Sequence, residues 1–300
     1  MRPQWEDLPR TVQKAIEERV GSVLKAEPAG TRPGAGVAVF LHTEDGSTFL
    51  KALPRNSHTE LRYGRERRVS TVFCDLPPGL PVPQLLWSAD LEGWLVLLYQ
   101  DLGGRPANLS PGSPDIPLFL NTVTILNRML TPCPAMSEAP PIAENLALIH
   151  GQAELLLATM DLSYRALFGA ALKGVAPEAL AGDTLLHYDL TPRNLRVVEG
   201  RAYATSWVLA ARGAAWVEAA MLCPRLILAG HSASQAEALL GLVPAWRNAP
   251  KGPVTALAAL WTLRRLHKAR FGPYQERESS ARSAAAGRDW LLYRTMGRRT

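Results

Sequence analysis

The chain has 300 residues, 47% of them hydrophobic and 20% charged, so it can bury a substantial core and is neither a disulfide mini-scaffold nor a disordered tract. Its three cysteines, Cys74, Cys133 and Cys223, are widely spaced and odd in number, which argues against a secreted disulfide framework and offers no paired metal-ligand motif. The formal net charge of +6 is confined to the last fifty residues, which sum to +8, whereas residues 1–100 are balanced and residues 101–250 sum to −2.

The first apolar set, Leu8, Val12, Ala15, Ile16, Val20 and Leu24, has helical spacing and predicts an amphipathic helix over Glu6–Lys25. Pro28, Gly30, Pro33, Gly34 and Gly36 break it. VAVFL (Val37–Leu41), a Glu44-Asp45-Gly46 turn and STFLKAL then predict two strands in a tight hairpin. Thr59–Phe73 reads as a charged helix, Leu80–Gln84 as an irregular link, and Trp94–Tyr99 as another strand. Residues 102–115 are rich in Gly, Pro, Ser and Asn and read as a loop. Beyond them the pattern is helical at Leu118–Leu130, Ile142–Met160, Tyr164–Gly174, Trp216–Leu228, Ser234–Leu242 and Val254–Ala269, with short strands inset over Thr184–Trp207. No stretch approaches the roughly 20 apolar residues of a membrane span. The opening MRPQWEDLPR has no apolar signal core, so a reducing, cytoplasmic compartment is expected.

The stretch LLHYDLTPRNLRVVEGRAYATSW (Leu185–Trp207) carries the chemistry. It contains His187-x-Asp189-x-x-x-x-Asn194, an LRVV strand, a Glu199-Gly200 turn and an AYAT strand leading to Ser206. Taken alone, Asp189 and Asn194 also read as turn caps, since Asp, Asn, Pro and Thr favour such places. With the hairpin behind that loop, the chain resembles the protein-kinase-like fold, and most closely the aminoglycoside phosphotransferase family of small-molecule kinases. GAAWVEAAML (Gly213–Leu222) is similar to the helix after the metal segment in that family, with Glu218 where an Asp is usual. The resemblance implies an α+β, bilobal architecture: a small β-rich N-lobe over residues 1–100 that takes the nucleotide, and a large helical C-lobe over 101–300 with the catalytic loop and the acceptor-binding helices.

Phosphoryl transfer needs a carboxylate to orient the acceptor hydroxyl and oxygen ligands that hold Mg²⁺ against the phosphates. The resemblance makes Asp189 the acceptor-side base, Asn194 a metal ligand and His187 a brace of the loop. It makes Lys51, on the second hairpin strand, the phosphate-contacting lysine and Glu66 its ion-pair partner. Gly34 and Gly36 lie in the loop that would cover the phosphates, and backbone groups around Tyr99–Asp101 would meet the adenine. Alone, Lys51 also reads as an edge-strand residue, and Glu66, with Arg62, Arg65, Arg67 and Arg68 nearby, as part of a solvated helix face.

The chain departs from the family at Thr205-Ser206-Trp207, where the pattern is Ile-Asp-Trp or Val-Asp-Trp. Ser206 thus stands where a carboxylate would clasp the metal, leaving Asn194 and a neutral hydroxyl as the ligands. Two readings follow. The first is an ATP-dependent phosphotransferase acting on a small-molecule hydroxyl, an antibiotic or a metabolite, impaired at its Mg²⁺ site. The second is an inactive, pseudokinase-like fold that binds a nucleotide, a peptide or a partner protein. A lobe for polycationic aminoglycosides is expected to be acidic. A sum of only −2 over residues 101–250 therefore points to a neutral or anionic acceptor.

The basic end lacks the aromatic interleaving and modules of nucleic-acid readers, so nucleic acid is not an expected partner. Val254–Thr300 is expected to form helices on the large lobe, with Leu263, Leu266, Trp290, Leu291 and Leu292 inward and the arginines outward.

Overall fold

The computed structural model describes residues 3–30, 36–57, 59–174 and 177–296. Gly34, Arg298 and Arg299 lie outside the described residues. Helix α1 (Arg10–Val20) starts after Pro9 and ends at Gly21, whose φ of 87° is left-handed, so it is shorter than the apolar spacing suggests. Leu24, beyond that stop, is exposed. Strands β1 (Lys25–Pro28), β2 (Val37–Thr43), β3 (Gly46–Pro54), β4 (Leu85–Leu91) and β5 (Trp94–Gln100) form one antiparallel sheet in the order β1-β2-β3-β5-β4. Helix α2 (Glu60–Cys74) connects β3 to β4.

Side chains alternate across a strand, and that alternation gives the sheet two separate cores. Leu50 and Ala52 of β3, with Val96 and Leu98 of β5, join Trp5, Leu8, Val12 and Ile16 on the α1 side. Leu95, Leu97 and Tyr99 pack on the opposite face with Phe49 and Tyr63. Lys51 shares the parity of Phe49 and therefore belongs to this second face, which α2 covers. Gly36 owes its identity to close packing: a Cβ there would stand 2.5 Å from the Ala52 carbonyl oxygen and 2.7 Å from Leu53 Cγ.

Beyond β6 (Arg105–Pro106) the chain is mainly helical: α3 (Asp115–Met129), α4 (Ile142–Leu157), α5 (Leu162–Leu172), the turn α6 (Pro177–Leu180), α7 (Trp216–Leu228), α8 (Ala233–Leu240), the turn α9 (Pro244–Arg247), α10 (Lys251–Phe271) and α11 (Tyr274–Thr295). Short strands lie between α6 and α7: β7 (Thr184–Leu186), β8 (Leu195–Val198), β9 (Arg201–Ala204) and β10 (Ala211–Gly213). Strand β7 pairs with β10, and β8 lies between β6 and β9. One continuous core fills this region and takes in Val69 of α2.

Leu263, Trp290 and Leu291 are buried as expected, while Leu266 and Leu292 are only half-buried. Arg294 corrects the expectation that the arginines face outward. It turns in to pair with Glu237 of α8 and to donate to Thr255 Oγ1 at 2.9 Å. A half-sequestered carboxylate such as Glu237 needs a cation, and α11 supplies one. Among the described residues no helix is long and apolar enough to cross a membrane.

Candidate active site

Lys51 Nζ donates to both carboxylate oxygens of Glu66, at 2.7 and 2.9 Å, across the gap between β3 and α2. Both side chains are almost fully buried, at 8% and 2% exposure, so each charge depends on the other. Three rings add to the cage: Phe49, Tyr63 and Tyr99 have centroids 5.6–5.8 Å from Nζ. Burial and the Glu66 charge push the Tyr63 phenol up to about 12 and the Tyr99 phenol well above its usual range, so both stay neutral. Helix α2 is also tied to the segment after β9. Glu66 Oε1 accepts the Trp207 N–H at 3.1 Å, Arg65 donates to the Ala210 carbonyl at 3.2 Å, and Lys51 Nζ donates to Ser206 Oγ at 3.2 Å.

The loop after β7 is braced from within. His187 Nδ1 accepts the Asp189 N–H at 3.1 Å, which fixes the proton on Nε2, and Nε2 donates to the Thr205 carbonyl at 2.8 Å. The ring lies edge-on to Trp207 with centroids 4.7 Å apart. Asn194 Nδ2 donates to the Asp189 carbonyl at 2.8 Å and to its Oδ2 at 3.2 Å, while Asn194 O accepts the Thr205 N–H at 2.8 Å. Asn194 therefore does close the turn, and it also joins the loop to the segment after β9 that carries Ser206. Tyr188 and Ser206 both have φ of 66°, the left-handed region that non-glycine residues seldom occupy. Such strain concentrates at sites over-determined by their surroundings.

Two residues of α7 complete this site: Arg225, which carries no signal in the sequence, and Glu218, which the sequence singled out without showing its role. Arg225 of α7 donates from Nη2 to Asp189 Oδ1 at 2.8 Å and from Nη1 to the Met221 carbonyl at 2.9 Å. Its 36-residue separation from Asp189 is invisible to local pattern. Glu218, in the first turn of α7, accepts the backbone N–H groups of His187 and Tyr188. It holds the loop from beneath.

His187 and Glu218 give opposite pH dependences. Burial lowers His187 from its usual 6.5 to about 4 and raises Glu218 from 4.5 to about 7. His187 stays neutral in the fold while the unfolded chain takes up a proton, so its contribution is lost as pH falls from 6.5 towards 4. Glu218 holds its proton in the fold while the unfolded chain loses one, so its contribution is lost as pH rises from 4.5 towards 7. Each is of the order of 3 kcal/mol, so they largely cancel near pH 5.5. Glu218→Gln should uncover the His187 limb, with stability rising by about 1 kcal/mol per pH unit between 4.5 and 6.5. Urea unfolding of both forms over that range checks it. A variant whose profile parallels that of the parent chain would contradict the assignment.

The other expected residues are also tied into the fold. The Tyr99 phenol bonds to Ser70 Oγ at 3.1 Å, and Asp101 accepts from Ser47 Oγ at 2.7 Å and from the Gly103 N–H at 2.8 Å. Lys51 suits the phosphates of a nucleotide, but the residues present do not fit a charged magnesium clasp. Asn194 Oδ1 and Ser206 Oγ are neutral, and Ser206 Oγ already accepts from Lys51. Among the described residues no cluster of three or more His, Cys, Asp or Glu side chains could hold a metal ion.

A model described as the phosphotransferase enzyme family matches residues 32–251. No curated protein sequence is significantly similar to the chain. Solved structures share its fold over nearly the whole length at low identity. A Ralstonia eutropha JMP134 protein provisionally described as an aminoglycoside phosphotransferase is 11% identical with a TM-score of 0.65, covering 96% of this chain and 98% of its own. Aminoglycoside 2'-phosphotransferase-IIIa, in its GDP complex, is 13% identical with a TM-score of 0.65, covering 93% and 98%. A choline/ethanolamine kinase family protein from Mesorhizobium loti is 14% identical with a TM-score of 0.55, covering 95% and 99%. The protein-kinase-like fold expected from the loop and hairpin is the fold of this chain.

Proposed function

The chain belongs to the phosphotransferase enzyme family, and from that membership we propose that it moves the terminal phosphoryl group of ATP onto a hydroxyl of a small neutral or anionic molecule. The observation that carries this reading is the meeting of two polar units, one buried and one half-buried, at one place. Lys51 reaches from its pair with Glu66 to Ser206, and the segment after β9 that bears Ser206 is bonded to the loop bearing Asp189 and Asn194. Solved relatives of the fold include complexes with GDP, AMP and ADP, in line with a nucleotide on the side of residues 1–100 and the acceptor on the side of 101–300.

In this reading Lys51 holds the nucleotide phosphates and the backbone of Tyr99–Asp101 meets the base. Asp189 orients the acceptor hydroxyl. The acceptor oxygen forms its bond to the terminal phosphorus as the bond from that phosphorus to the bridging oxygen breaks. The hydroxyl proton passes to Asp189 and on to solvent, and the nucleoside diphosphate leaves. His187, neutral and doubly bonded, positions the loop and takes no proton. ATP as donor suits a cytoplasmic site of action.

The second reading, a nucleotide- or partner-binding protein without transfer, draws on the uncharged Ser206. Labelled ATP offered with a panel of sugar, amino-alcohol and nucleoside hydroxyls separates the two. The proposed activity predicts label on an acceptor, with kcat lowered about 10²- to 10⁴-fold by Asp189→Asn at unchanged ATP affinity. ATP binding with no transfer to any acceptor, identical in Asp189→Asn, would favour the second reading.

A further inference from the structure

Helix α7 holds the loop of His187, Tyr188 and Asp189 with two side chains of opposite charge. Glu218 and Arg225 stand two helical turns apart, which puts them on one face of α7. Glu218 accepts the backbone N–H groups of His187 and Tyr188, and Arg225 donates from Nη2 to Asp189 Oδ1 at 2.8 Å. The helix therefore fixes the backbone of the loop with its carboxylate and the Asp189 side chain with its guanidinium.

Arg225 can fix that side chain because it is itself fixed. Its side chain is 5% exposed, its Nη1 donates to the Met221 carbonyl at 2.9 Å, and α7 is buried from Trp216 to Leu226. Asp189 is 31% exposed and would, without a partner of this kind, turn among its side-chain rotamers. The two carboxylate oxygens are also unequally engaged. Oδ1 accepts a charge-assisted bond from Arg225, whereas among the described residues Oδ2 accepts only from the Asn194 amide at 3.2 Å, at the long end of such bonds. Oδ2 is the oxygen left with capacity for a hydroxyl from outside the chain.

We infer that Arg225 is a positioning residue, which holds Asp189 by Oδ1 so that Oδ2 meets the acceptor hydroxyl. This rests on the phosphotransferase reading. Arg225 acts through Asp189 alone, so its contribution to the rate exists only while that carboxylate is present, and nucleotide binding does not draw on it.

The test is a double-mutant cycle in the full chain: Arg225→Gln and Arg225→Lys, each made with Asp189 present and with Asp189→Ala. Steady-state transfer from labelled ATP to whichever hydroxyl the parent chain labels gives kcat. Calorimetry gives ATP affinity, and hydrogen exchange reports the His187 and Tyr188 amides. Arg225→Gln should lower kcat about 10- to 100-fold, the effect of a reacting group misplaced by about an ångström, with ATP affinity unchanged. The two amides should stay protected as in the parent chain, since Glu218 still holds them. Arg225→Lys keeps the charge without the fork that serves Asp189 and Met221 together, and should recover part of the loss. In the Asp189→Ala background neither substitution should lower kcat further, so the two losses are not additive. Additive losses would overturn the inference, because Arg225 would then act other than through Asp189. So would loop amides that lose protection in step with kcat, the mark of a structural role. If Arg225→Gln fails to fold, Arg225→Lys carries the same cycle at smaller amplitude. A parent chain that labels an acceptor and is indifferent to both substitutions removes this inference alone. A parent chain that labels none removes the phosphotransferase reading and the role of Arg225 with it.

Discussion

Lys51→Met is expected to destabilise the chain by about 3–5 kcal/mol, because it leaves the Glu66 carboxylate buried without its cation. Glu66 is 2% exposed, and among the described residues its one remaining donor from outside α2 would be the Trp207 N–H. The Phe49, Tyr63 and Tyr99 rings would face an apolar side chain where they now face a cation, which is tolerable in itself. The cost comes from the stranded charge. Lys51→Met combined with Glu66→Gln should therefore recover much of the loss, since an amide oxygen still accepts from Trp207 and carries no charge. Nucleotide binding should not recover, because the cation that meets the phosphates is absent from both forms. Denaturant unfolding and an ATP-induced thermal shift read the two effects separately. A single variant as stable as the parent chain would show that the pair is not a structural unit, and ATP binding retained by the double variant would remove Lys51 from the phosphate site.

Much of the site was legible because its spacing is local or its order along the chain is informative. The loop from His187 to Asn194 spans eight positions, and the hairpin of β8 and β9 follows it directly, so a contiguous stretch announced the fold. Lys51 and Glu66 were legible by order: a lysine inside an apolar strand, then a glutamate in the next helix. Arg225 was not, since an arginine within LCPRLIL reads as a helix surface until the fold turns it towards Asp189. Glu218 was placed in the right helix, but its hold on two N–H groups of the loop depends on a three-dimensional approach that no spacing encodes. Strands β1 and β4 escaped for a different reason. KAEP is polar and ends in proline, and Leu85–Leu91 shows only half-burial without a clear alternation, so edge strands leave little hydrophobic signal. The C-terminal arginines show the limit of composition: the excess charge was visible, but the inward turn of Arg294 could not be read from it.

Ser206→Asp should convert nucleotide binding from weakly to strongly magnesium-dependent. The backbone favours the change, since φ of 66° suits Asp better than Ser. The Ser206 oxygen already lies 3.2 Å from Lys51 Nζ, one residue after Thr205, whose N–H bonds the Asn194 carbonyl, so the introduced carboxylate would stand near both the lysine and the second neutral ligand. Without metal it would compete with Glu66 for Lys51 and repel the phosphates, lowering ATP affinity. With Mg²⁺ it would supply the charge that Asn194 and a hydroxyl lack, worth about 1.5–3 kcal/mol, or roughly 10- to 150-fold. The two effects have opposite signs, so the affinities of the two proteins should cross as magnesium is added. ATP titrated by calorimetry into the parent chain and Ser206→Asp, each with and without Mg²⁺, measures this directly. The parent chain should bind ATP with little gain from the metal, and Ser206→Asp should bind more weakly without Mg²⁺ and at least about tenfold more tightly with it. Equal affinities and equal metal dependence in the two proteins would contradict a phosphotransferase site that lacks one metal-binding charge.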